Sequence, residues 1–63
     1  MNTYTYENKI IYKNKGGIDQ SEYLTNNYEI ADCEFRAWAH NYKGEFESIT
    51  MRCNGEVIRI IEA

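Results

Sequence analysis

Asn54-Gly55 constrains this chain more than any other pair of residues, because it sits between two β-rich runs, 48–53 and 56–61. Asparagine and glycine both accept positive φ, which a two-residue type I′ turn requires and which matches the twist of antiparallel strands. Read as a two-residue hairpin, the segment pairs Cys53 with Glu56, Met51 with Ile58 and Ile49 with Ile60, so the aliphatic residues of both runs fall on one face. Arg52, Val57, Thr50, Arg59, Ser48 and Ile61 fall on the other. Two alternations that agree across one turn predict a C-terminal hairpin with one buried face.

The chain has 63 residues, so a single domain spanning 1–63 is expected, with a core that supplies only about 3–5 kcal/mol. Self-association, most simply as a homodimer, is the expected way to bury more surface. Two cysteines, Cys33 and Cys53, and one histidine, His40, cannot build a disulfide framework or a zinc tetrad. No cofactor motif is present. The first residues lack a basic and then an apolar region, so no secretory signal is expected, and no run approaches the length of a membrane span. With Met1 as the native start, the expected location is the cytoplasm, where both cysteines stay reduced.

Net charge is −3, which is mild, but it is unevenly spread. Residues 1–16 hold one acid against three lysines, a balance of +2, and the remaining nine acids and four bases carry −5. A nucleic-acid-binding protein normally presents a net basic face, so nucleic acid is the weaker expectation for a partner.

Along the chain, residues 3–13 read as a first strand. Tyr4, Tyr6, Ile10 and Tyr12 share one face with Asn8, and Thr3, Thr5, Glu7, Lys9, Ile11 and Lys13 share the other. A turn at Glu7-Asn8, splitting this run into two short strands, is the competing reading. Asn14-Lys15-Gly16-Gly17 ends the segment. A second strand is expected over 23–31, because Tyr28 and Ile30 alternate with Glu29. Asp32 is then the expected cap of a helix over 33–43 with the apolar stripe Phe35, Ala39 and Tyr42, widened by Trp38, and Gly44 closes it. Ala31 and Ala37 are small enough to bring that helix close to a sheet. The expected fold is α+β, a small antiparallel sheet in the order β-β-α-β-β with one helix packed on one face. The alternative places the cap at Asn27 and starts a longer helix at Tyr28, giving β-α-β-β.

Several groups of residues carry candidate chemistry. Tyr4, Tyr6 and Tyr12 with Lys9, Lys13 and Lys15 match a stacking platform for single-stranded nucleic acid, rings taking bases and ammonium groups taking phosphates. The plainer reading is a half-buried strand face. Glu45, Glu47, Glu56 and Glu62, with Asp32 and Glu34, match an acidic surface that imitates a nucleic-acid backbone, or simply a solvated surface. Cys33 and His40 are seven residues apart on the expected helix, about 10 Å, too far for a nucleophile and its base. No catalytic residue is expected. Trp38 is either the central core anchor or an interface residue, and around it Arg36, His40, Tyr42, Glu45 and Glu47 complete the candidate protein-binding patch.

Asn, Ile, Lys and Tyr are plentiful and Pro is absent, a composition that AT-rich codons produce. With its size, mild acidity and expected antiparallel sheet and single helix, the chain resembles small phage-encoded inhibitors of bacterial defence, the anti-CRISPR type among them. The resemblance spans the whole chain in outline and transfers no functional residue. It implies a non-enzymatic protein in the host cytoplasm that binds a host protein or complex and blocks it.

Overall fold

The computed structural model describes residues 4–13 and 19–62. Four strands and one helix follow one another as β1 (Tyr6–Tyr12), β2 (Asp19–Thr25), α1 (Tyr28–Asn41), β3 (Phe46–Cys53) and β4 (Glu56–Glu62). The strands form one antiparallel sheet in the spatial order β2-β1-β3-β4. This is the expected α+β fold in the order β-β-α-β-β. Because β2 and β3 both run antiparallel to β1, they run parallel to each other, and such strands need a crossover. Helix α1 is that crossover, and it lies over the central strands.

Strand β1 is continuous, so the proposed turn at Glu7-Asn8 does not occur. Its side chains alternate as expected: Asn8 and Ile10 are fully buried toward the helix, and Glu7, Lys9 and Ile11 point the other way. Ile10, Ile49 and Met51 from the central strands meet Ala31 and Phe35 from α1, all fully buried, with Phe46 beside them. Tyr6, Tyr12, Trp38, Ala39, Tyr42 and Ile61 pack around this core. Asn8 belongs to the same layer, and its side-chain NH2 donates to the carbonyl of Ala31 at 2.9 Å, joining sheet to helix. Its Oδ1 has no protein partner.

The second strand and the helix both lie earlier than expected, at Asp19–Thr25 and Tyr28–Asn41 against 23–31 and 33–43. The second strand ends at Thr25, and the helix starts at Tyr28, five residues before the expected Cys33. Asn27 is the cap: its side-chain oxygen accepts from the backbone N–H groups of Glu29 at 2.9 Å and Ile30 at 3.3 Å, satisfying donors that a helix start leaves free. Thr25 supports it by accepting from the Asn27 N–H at 3.2 Å. The alternation of Tyr28 and Ile30 that suggested a strand is therefore helical, and the alternative cap at Asn27 is the correct one. The four-strand order nevertheless holds, because the second strand lies upstream at Asp19–Thr25. At the other end the helix stops at Asn41 with Tyr42 as its cap, two residues short of the expected end, and Gly44 is left-handed, φ 82°, in the turn that follows and does not close the helix as expected. The expected turn at Asn14-Lys15-Gly16-Gly17 lies outside the described residues, as does Thr3.

The Asn54-Gly55 turn forms as read: Asn54 has φ 51° and Gly55 φ 85°, the two positive values a type I′ turn needs. It is also tied to β1, since Asn54 N–H donates to the Thr5 carbonyl and Asn54 Oδ1 accepts from the Thr5 N–H, both at 2.9 Å. Register follows the expectation only for the first two pairs. Cys53 faces Glu56 and Arg52 faces Val57, but then Met51 faces Arg59, Thr50 faces Ile60 and Ile49 faces Ile61. Ile58 is the extra residue of a β-bulge. The bulge reverses the inside and outside of β4: Arg59 and Ile61 turn toward the helix, and Ile58 and Ile60 turn out. A second bulge, at Glu47, interrupts the pairing of β1 with β3.

Candidate functional site

The bulge is explained by what Arg59 meets on the helix side. Its guanidinium lies 4.5 Å from the centre of the Phe35 ring, a cation–π contact, and donates to the carboxylate of Asp32. Asp32 also pairs with Arg36 at 3.0 Å, one helical turn on. Asp32, expected as a cap, is instead the bridge between α1 and β4. With an unbulged register Arg59 would point to the uncovered face and Asp32 would lose its partly buried partner. Exchanging Ile58 and Ile60 for Arg59 and Ile61 under the helix thus trades aliphatic burial for a charged anchor.

The face opposite the helix is covered by no other element among the described residues. Register places three rows across it: Leu24, Glu7, Arg52 and Val57; then Glu22, Lys9, Thr50 and Ile60; then Gln20, Ile11, Ser48 and Glu62. Its centre is polar. Lys9 pairs with Glu22 at 3.9 Å across half-exposed side chains, a contact that contributes little in water. Apart from the half-buried Ile11 on β1, the aliphatic side chains sit at the edges, and mostly on β4: Val57 is 48% exposed, Ile58 45% and Ile60 55%, with Leu24 at 61% on the far edge. Strand β4 is the end of the sheet and has a hydrogen-bonded neighbour on one side only. An exposed edge strand with three adjacent aliphatic residues is a surface to which another strand can add.

The expected protein-binding patch around Trp38 divides. Trp38 is half-buried against the core, and Tyr42 sits edge-on to Tyr12 with ring centres 5.3 Å apart. Arg36 and His40 are exposed one turn apart on α1, although Arg36 is engaged with Asp32. Glu45 and Glu47 are exposed beyond the helix, the Glu45 carbonyl accepting from the Lys13 N–H at 2.9 Å. Nor does the tyrosine and lysine set form one platform. Tyr6 and Tyr12 face the helix, Tyr6 making an edge contact with Tyr28 at 5.4 Å and Tyr12 with Tyr42, and Lys9 lies on the opposite face. Tyr4 and Lys13 are exposed; Lys15 lies outside the described residues. Both Tyr6 and Tyr42 hold their phenol protons more tightly than usual. For Tyr6 the main cause is burial, with Cys53 beside it adding in the same direction. For Tyr42 it is the neighbouring Tyr12, through charge and hydrogen bonding, followed by burial.

Cys33 is exposed and Cys53 half-buried, and both are free thiols. Among the described residues no three His, Cys, Asp or Glu side chains group as metal ligands. No helix among them is long and apolar enough to cross a membrane. Val57, Ile58 and Ile60 are the surface residues that sequence reasoning missed. Their signal was present: Glu-Val-Ile-Arg-Ile-Ile-Glu contains the adjacent pairs Val57-Ile58 and Ile60-Ile61, and neighbours in a strand point to opposite faces, so one face cannot bury both members of either pair. Comparison with protein-family models, with curated proteins and with solved structures returns no match.

Proposed function

We propose that this chain is a small non-enzymatic binding protein that acts by occupying the surface of another protein. The observation that carries the reading is the aliphatic β4 edge, where Val57, Ile58 and Ile60 stay about half exposed while the rest of the open face is polar apart from Ile11 and Leu24. An aliphatic cluster at an unpaired strand edge costs solubility and invites aggregation, so a partner that covers it is the simplest reason to keep it. The narrower proposal, inhibition of a host defence protein or complex by a phage-encoded protein in the host cytoplasm, adds the resemblance in size, composition and architecture. Arg36 and His40 on the exposed side of α1 are a secondary contact surface in this reading.

An affinity pull-down from lysate of a low-GC bacterium carrying its defence systems tests it, with the wild-type chain and the Val57→Lys/Ile60→Lys variant washed at moderate salt. A stoichiometric protein prey that disappears with the variant is expected, and its identity decides the narrower proposal. Recovery of nucleic acid with no specific protein, together with oligonucleotide affinity that falls steeply with salt, would overturn the reading in favour of a nucleic-acid accessory protein.

A further inference from the structure

We infer that the β4 edge takes up an extended segment of its partner as a fifth strand, and that it selects a segment with an aliphatic centre and basic ends. This rests on the protein-binding reading and specifies its chemistry. Strand addition is a recurring mode of recognition in which backbone hydrogen bonds supply affinity and alternate side chains supply specificity. Strand β4 offers seven residues, Glu56–Glu62, about 23 Å of open edge. Its two ends are acidic and exposed, and between them lie the exposed Val57, Ile58 and Ile60. Its single cation, Arg59, is turned under the helix and held by Asp32 and Phe35. What the open edge shows an incoming strand is therefore aliphatic in the middle and negative at both ends.

The opposite edge differs. Strand β2 presents Gln20, Glu22 and Leu24 outward and Ser21, Tyr23 and Thr25 on the helix side, an edge with one exposed aliphatic residue where β4 has three. A homodimer, expected from the small core, that pairs β4 with its own copy is opposed by charge. Antiparallel self-pairing over the full strand brings the Glu56 end of each copy to the Glu62 end of the other, so acid meets acid at both ends of the pair. A heterologous segment with lysine or arginine at each end replaces both acid pairs by attractive ones, whichever direction it runs.

Two seven-residue peptides with the same Thr-Val-Thr-Val-Thr centre, one ended by lysines and one by glutamates, test the inference against the isotopically labelled full chain by amide chemical shifts. The lysine-ended peptide is expected to perturb the amides of residues 56–62 and to bind roughly five-fold tighter than the glutamate-ended one at low salt. High salt is expected to erase that difference. Methylating alternate backbone nitrogens of the peptide should abolish binding. In the Glu56→Lys/Glu62→Lys variant, whose substituted positions are exposed, the preference should reverse. Equal affinity for the two peptides, perturbations away from β4, indifference to N-methylation, or no binding at millimolar peptide would each overturn the inference. So would a dimer in the peptide-free protein whose β4 amides stay protected when peptide is added, since that assigns the edge to a second copy. A specific prey lost from Val57→Lys/Ile60→Lys, alongside failure of both peptides, would sink strand addition and leave the binding reading standing.

Discussion

Asp32 shows how one residue type serves two structural roles that only geometry separates. An aspartate ahead of an amphipathic run suits a helix cap, yet here it sits inside the helix and joins Arg36 to Arg59. Asparagine caps a helix about as well as aspartate but carries no charge. Asp32→Asn is therefore expected to lower stability by about 1–2 kcal/mol through the loss of a partly buried charged hydrogen bond; unchanged urea denaturation would restore the capping role. Asn8 raises a sharper question, since it was legible as the polar interruption of an apolar row but not as a buried link to Ala31. Asn8→Asp would place a fully buried carboxylate beside Met51 and against the Ala31 carbonyl, where desolvation strongly disfavours the charged form. Loss of the cooperative thermal transition at neutral pH is expected, and a variant as stable as the parent would show that the site is wetter than its burial indicates.

At the level of elements, local signals worked where the decisive residues are adjacent in sequence. Asn54 and Gly55 specify their turn because positive φ at both positions is a property of those two residues. Gly55→Ala, which forces a side chain into φ 85°, is expected to cost about 1–2 kcal/mol, measured by chemical denaturation. The helix start was less legible because Asn26-Asn27 and Asp32 are both competent caps, and Thr25, which supports Asn27, acts through a single hydrogen bond. Asn27→Ala should remove about 1 kcal/mol and fray the first turn, seen as faster hydrogen exchange at Glu29 and Ile30. Exchange unchanged there would move the functional start of the helix toward Asp32.

For the whole molecule, the helix is held to the sheet at four places besides the apolar core: Tyr28 on Tyr6 near its start, Asn8 on the Ala31 carbonyl, Arg59 between Asp32 and Phe35, and Tyr42 on Tyr12 just past its end. Two of these involve phenols that keep their protons above the usual pKa of 10.0. A phenol whose pKa is raised by folding binds its proton more tightly in the native state than in the unfolded one. Its contribution is complete below about pH 10 and is lost as pH rises through the folded pKa. Thermal stability is thus expected to fall on passing upward through pH 10, and Tyr6→Phe and Tyr42→Phe should each flatten that fall. A fall of the same steepness in both variants would assign alkaline unfolding to other groups.

The α+β class, the strand alternation in β1, the Asn54-Gly55 turn, the apolar stripe of Phe35, Trp38, Ala39 and Tyr42, and the left-handed conformation of Gly44 could all be read from the sequence. Each of these depends on residues within a turn or two of one another, where spacing alone decides which side chains share a face. Tertiary structure decided the rest. Ile58 is expelled as a bulge because Arg59 gains Asp32, 27 residues away, and the ring of Phe35. That exchange leaves Val57, Ile58 and Ile60 together on an open edge, and no periodicity within β4 contains it, because the energy that selects the register lies on the helix.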